Sequence, residues 1–147
     1  AIKYPMLARE STKVVTFDWQ PALDFNGQAA PYIQYAYVRG GSILRKANQQ
    51  MPETDFSAAM LPVEIQLVDL ITRLPVEVQK AAAEFRPLNI ANLGYELART
   101  FNDFYNQCPV LTAEAAVRSQ RLLLVAAARQ AIGNCLALLG ITAPEAM

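Results

Sequence analysis

Apolar residues recur at steps of three and four through most of the second half of the chain. Ile90, Leu93, Leu97, Phe101 and Phe104 form one continuous seam, which predicts a helix opened by Pro87. Val63, Leu67, Leu70, Ile71 and Leu74 predict another over 62–74. Pro75 is expected to open a separate short helix ending near Phe85. Val117, Leu124, Val125, Ala128, Ile132, Cys135, Leu136 and Leu139 mark the core face of a last, long helix. Thr112 is its predicted N-cap, Glu114 sits in its first turn, and Gly140 stops it. Glu114 is also spaced to pair with Arg118. Strand signal is confined to Val14-Val15-Thr16-Phe17. The segment Pro21 to Phe25 reads as a helical turn and 50–61 as a connector. The pattern predicts an all-α helical bundle of about five helices.

One more helix is predicted over about 30–48, with Pro31 in its first turn. At about 100° per residue, Tyr32, Tyr35, Arg39, Ser42 and Lys46 fall within about 80° of one another. Ile33, Tyr37, Gly40 and Leu44 lie on another side. This helix therefore carries an apolar seam beside a stripe of phenol, guanidinium and ammonium groups. Aromatic faces stack on bases and cations meet phosphates, so the stripe is a candidate nucleic-acid surface. The same spacing also suits tyrosines at a core rim with solvated cations beside them. Gly40 and Gly41 each cost roughly 1 kcal/mol in a helix interior. The close approach of another helix, or of a ligand backbone, is the usual reason for such a pair.

Composition narrows the function. Among 147 residues, 13 basic and 13 acidic side chains cancel. That counts against nucleic-acid binding by bulk charge and leaves only a local, shaped, aromatic mode. There is no histidine, which removes the commonest general base and metal ligand. No phosphate loop, nucleophile elbow or metal-ligand spacing is present, and the loop acids Asp18 and Asp24 do not make a catalytic dyad. Cys108 and Cys135 are far apart and in helix-like contexts, which predicts buried, reduced thiols and a cytoplasmic setting, with a disulfide as the alternative. The longest apolar run, from Leu122 to Ala128, ends at Arg129, so no membrane span is expected. No signal peptide is visible, and the chain lacks an initiator methionine, as a fragment would. Arg118, Arg121 and Arg129 share about 80° of the last helix and are candidate phosphate contacts, partners in interhelical pairing or a solvated face. On residues alone this is a binding module without catalytic residues. It reads either an RNA or, as a helical protein-interaction module, another chain.

Several segments resemble, in order, the C-terminal anticodon-binding domain of arginyl-tRNA synthetases. They are Phe17-Asp-Trp19, Pro31-Tyr-Ile-Gln-Tyr-Ala-Tyr-Val-Arg39, Ser42-Ile-Leu-Arg-Lys-Ala47, Tyr95-Glu-Leu-Ala98, Phe101-Asn-Asp-Phe-Tyr105 leading into Cys108-Pro-Val-Leu111, Arg118-Ser-Gln-Arg-Leu122, and Leu138-Leu-Gly-Ile-Thr-Ala-Pro-Glu-Ala-Met147. The match covers essentially the whole chain. It implies an all-helical domain of the class I synthetase type, often called DALR, although that tetrapeptide is not in this sequence.

The resemblance further implies a domain at 17–147, preceded by a junction at 1–16 from a catalytic body. The implied parent enzyme is monomeric and joins arginine to its tRNA with ATP and magnesium, while this part needs no cofactor and is inactive alone. It implies that Tyr32, Tyr35 and Arg39 line the surface for the anticodon loop of arginine tRNA. Tyr105 and Met147 would surround the pocket for the middle anticodon base. Apart from the resemblance, the stripe itself makes Lys46 a candidate phosphate contact. Every arginine codon has G in the middle, so that base is C. Gly40-Gly41 stand where the family usually has bulkier residues, which predicts a bend or closer packing just after Arg39.

Overall fold

The computed structural model describes residues 2–10, 12–14, 16–24, 27–48 and 58–147. The connector at 50–61 lies largely outside them, as do Val15 and Phe25 of the two short segments expected near the start. Among the described residues six helices follow in order: α1 (Lys3–Leu7), α2 (Trp19–Ala22), α3 (Ala30–Lys46), α4 (Pro62–Ala83), α5 (Leu88–Gln107) and α6 (Ala115–Leu138). No strand forms among the described residues. The expected all-α class holds, with one helix more than about five.

Four long helices make the bundle, and α5 and α6 each pack on the other three. The α5 seam is buried along its whole length, from Ile90 to Phe104. Leu124, Val125, Ala128, Ile132, Cys135 and Leu136 of α6 meet it in one continuous core. Because α6 has neighbours on three sides, Gln120, Leu122 and Ala131 are buried as well. This explains a difference from the expected absence of spans. By length and composition alone, α6 is apolar enough to cross a membrane, a property that it shares with buried core helices.

Three expectations do not hold in the structure. Pro75 does not open a new helix but lies inside α4. Leu67, Leu70, Ile71, Leu74, Val78 and Ala81 keep one phase across it and pack on the core. Burial on both sides of the proline outweighs its local cost of about 3 kcal/mol. Thr112 is not the cap of α6. That position belongs to Glu114, whose carbonyl accepts the Arg118 backbone N–H at 2.7 Å, with no side-chain cap. The Glu114–Arg118 ion pair does not form among the described residues.

The beginning and end of the chain meet. Tyr4 of α1 is fully buried and donates to the Ala91 carbonyl of α5 at 3.1 Å. Gly140, with φ of 64°, turns the chain after α6, and its carbonyl accepts from Lys3 Nζ at 2.6 Å. Cys108 and Cys135 are both free and buried. Burial pushes the Cys135 thiol up to about 12 and raises Cys108 as well, so both stay protonated near neutrality.

Candidate nucleic-acid interface

Pro31 sits in the first turn of α3, and its missing N–H falls where no intrahelical partner exists. Ile33, Ala36, Gly40 and Ile43 turn inward and are buried. That orientation carries Tyr35 and Lys46 to the surface and leaves Arg39 and Ser42 half-buried at its edge. Tyr32 is drawn further in. Its ring packs 5.5 Å from that of Tyr95 on α5 and leans on the core.

Arg39 is the centre of the arrangement. Its guanidinium lies 4.6 Å from the ring centre of Tyr35 and 4.6 Å from that of Tyr105. Nη2 donates to the Tyr35 hydroxyl at 3.0 Å, and Nη1 donates to Asn102 Oδ1 at 2.9 Å. A planar cation thus bridges an aromatic of α3 and an aromatic of α5, fixed by two hydrogen bonds. Cation–π contacts of this kind contribute about 0.5–1 kcal/mol each where exposed. Both tyrosines remain more than two-fifths exposed, so each offers ring surface to a ligand.

Beside this stack is a cavity of about 270 Å³. Arg39, Ser42, Lys46, Tyr105 and Cys108 line it, and the turn at 109–112 closes it. Cys108-Pro109 ends α5, since the residue before a proline disfavours helical geometry. Thr112, freed from capping, faces this cavity instead. Among the described residues, the lining holds two cations and no carboxylate. Such a site suits a stacked base and its phosphate. Among the described residues no group of three or more His, Cys, Asp or Glu could hold a metal ion.

The remaining sequence-derived candidates go elsewhere. Arg121 is not on a polar face: only 11% of its side chain is exposed, and Nε pairs with Glu64 Oε1 of α4 at 2.7 Å. Its Nη1 donates to the Pro109 carbonyl at 2.7 Å, which braces the turn under the cavity. Glu64 completes the network by accepting from the Leu61 N–H at 2.6 Å with its other oxygen. Arg129 lies 4.2 Å over the Tyr37 ring and reaches Glu145 at 3.2 Å. Arg118 is half-buried near the start of α6. Met147 is exposed and does not line the cavity.

Sequence reasoning missed Asn102 and Glu64. Asn102 shares the polar side of α5 and is one turn before Tyr105, which was a usable signal. Nothing local marks Glu64 as the partner of a residue 57 positions away. Gly40 and Gly41 are explained by packing. A Cβ at Gly40 would stand 3.2 Å from Arg129 Cβ and 3.6 Å from Phe101 Cζ, and one at Gly41 would stand 3.1 Å from Arg129 Nε. The reason is a close approach of α6, and α3 continues unbroken to Lys46.

The comparisons with known proteins agree with this geometry. Arginine–tRNA ligase of Pyrococcus furiosus is 42% identical over all of this chain, which covers 25% of that protein. The Archaeoglobus fulgidus ligase is 44% identical, again over all of this chain and 27% of its own length. The solved structure of Thermus thermophilus arginyl-tRNA synthetase superposes with a TM-score of 0.94 at 38% identity, over 99% of this chain and 26% of that one. The chain spans about a quarter of the length of these relatives. The family model described as the DALR anticodon binding domain matches residues 33–147. On this fold, site and match, the chain belongs to the DALR anticodon-binding domain family, in the form that arginine–tRNA ligases carry.

Proposed function

We propose that the chain binds the anticodon loop of arginine tRNA and that the protein containing it is an arginine–tRNA ligase, monomeric and cytoplasmic. In that enzyme, arginine would be attached to tRNA with ATP and magnesium by parts outside this chain. The observation that carries the reading is the Tyr35–Arg39–Tyr105 stack beside a cavity lined by Arg39 and Lys46. A loop base, splayed out of its helix, stacks on an exposed tyrosine, and its phosphate meets Lys46. Stacking contributes about 1–3 kcal/mol per base and needs no net positive charge, which fits a neutral chain. Tyr32 acts here as a support behind the stripe. Arg121 and Arg129 serve the architecture, and Arg118 is left as the candidate phosphate contact on α6.

Binding of isolated anticodon stem-loops tests this. A stem-loop with C in the middle anticodon position is expected to bind more tightly than one with A. Equal affinities would remove base reading. A helical interaction module without an RNA role would bind neither stem-loop above a mixed-sequence control.

A further inference from the structure

The tail after α6 is tied down at three points. Lys3 Nζ holds the Gly140 carbonyl, Gln34 Nε2 donates to the Thr142 carbonyl at 2.7 Å, and Arg129 Nη2 reaches Glu145 Oε2 at 3.2 Å. The seat for Arg129 is built from missing side chains. Gly40 and Gly41 leave room for its stem and guanidinium, and Gly133 leaves room for the Tyr37 ring beneath it.

The tail runs along α3. Gln34 and Gly41 are separated by about 10 Å of helix axis. Thr142 and Glu145 are separated by about 10 Å of extended chain. With Gln34 set at 0° on the helical wheel, Tyr37 and Gly41 fall at about −60° and −20°. Tyr35, Arg39, Ser42 and Lys46 span about 80° to 140°. On the far side, α5 closes on Arg39 through Asn102 and Tyr105. The stripe therefore lies in a trough, with α5 as one wall and the tail bordering the other.

We propose that Arg129 is a positioning residue which, through Glu145 and together with Gln34, fixes the last residues of the chain as the second wall of the anticodon trough. This rests on the anticodon-loop reading given above. It assigns the Arg129 charge to a carboxylate rather than to RNA. Met147 follows the latch by two residues, past a bend at Glu145.

The test uses the full 147-residue chain carrying Gln34→Ala and Glu145→Ala, with Glu145→Gln as a milder variant. Carboxypeptidase should release Met147 several-fold faster from the double variant, with the helical circular dichroism and melting temperature unchanged. Affinity for the middle-C stem-loop should fall about threefold to tenfold, and the preference over middle A should shrink. Glu145→Gln should give a smaller change in both readouts. Unchanged release would show that there is no latch. A freed tail with unchanged affinity would show that it is not a wall. If the unaltered chain binds no stem-loop, the anticodon reading itself fails and the wall falls with it, while the digestion still reports on the latch.

Discussion

Arg39 of α3 lies 4.6 Å over the ring of Tyr105 of α5, although the two residues are 66 positions apart. The contact joins two helices at the surface and leaves Tyr105 more than two-fifths exposed. Tyr35→Ala or Tyr105→Ala is expected to weaken stem-loop binding by about 1–3 kcal/mol without unfolding the domain. Arg39→Lys keeps the charge but loses the planar fork, and should weaken binding too. Fluorescence titration together with a circular-dichroism melt of each variant checks this; unchanged affinity in the tyrosine variants would remove the stack from the site.

The buried pair Glu64–Arg121 makes a stability prediction. Glu64 is 2% exposed, so Glu64→Ala strands the Arg121 charge in the core and should cost about 3–5 kcal/mol. Replacing both, as Glu64→Leu with Arg121→Met, should recover most of that in a urea titration. The stem-loop affinity of the double variant should fall only modestly, through loss of the Arg121 brace on the Pro109 carbonyl. A clear loss of binding in that folded variant would return Arg121 to the RNA surface.

The two central glycines should respond differently. At Gly40 a methyl group meets Arg129 Cβ, which can yield only if α6 moves. Overpacking of about 1–3 kcal/mol then exceeds the helix-propensity gain of about 1 kcal/mol, so Gly40→Ala destabilises. At Gly41 the obstacle is the Arg129 guanidinium, the end of a flexible side chain. Gly41→Ala should be close to neutral in stability. Thermal melts of the two variants, compared at equal concentration, decide the order.

Alkaline pH should loosen the fold. Burial raises the Cys135 thiol from 9.0 to about 12 and the Tyr4 phenol from 10.0 to about 12. Between those limits the unfolded chain has lost protons that the folded chain keeps. Stability is therefore fully present below about pH 9 and falls as pH rises towards 12, by up to about 1.4 kcal/mol per pH unit for each group. Urea midpoints measured from pH 7 to 11 should be flat and then decline. In Cys135→Ala the decline between pH 9 and 10 should be shallower. An unchanged slope would exclude the thiol as its source.

A tag joined after Met147 should weaken stem-loop binding more than the same tag joined before Ala1. The reason is that the tail borders the trough, where Gln34 and Arg129 hold it. Equal affinities of the two tagged forms would take Met147 out of the site.

The sequence by itself determined the helices and their inward faces. Ile90 to Phe104 repeats at three and four because a local backbone geometry imposes that period, and burial followed it. No break falls at Pro75, because Leu74, Val78 and Ala81 stay in phase with Leu67. The ordered family segments also located Tyr35, Arg39 and Tyr105 before any geometry did. Only the tertiary structure decided how charges were shared. Arg118, Arg121 and Arg129 look alike on a helical wheel. Yet Arg121 meets Glu64 from α4, Arg129 meets Tyr37 from α3 and Glu145 from the tail, and Arg118 meets neither. Periodicity is a property of neighbours along the chain, whereas an ion pair or a cavity depends on where other helices come to rest. Gly40 and Gly41 belong to that second kind: a local cost in α3 that only the packing of α6 explains.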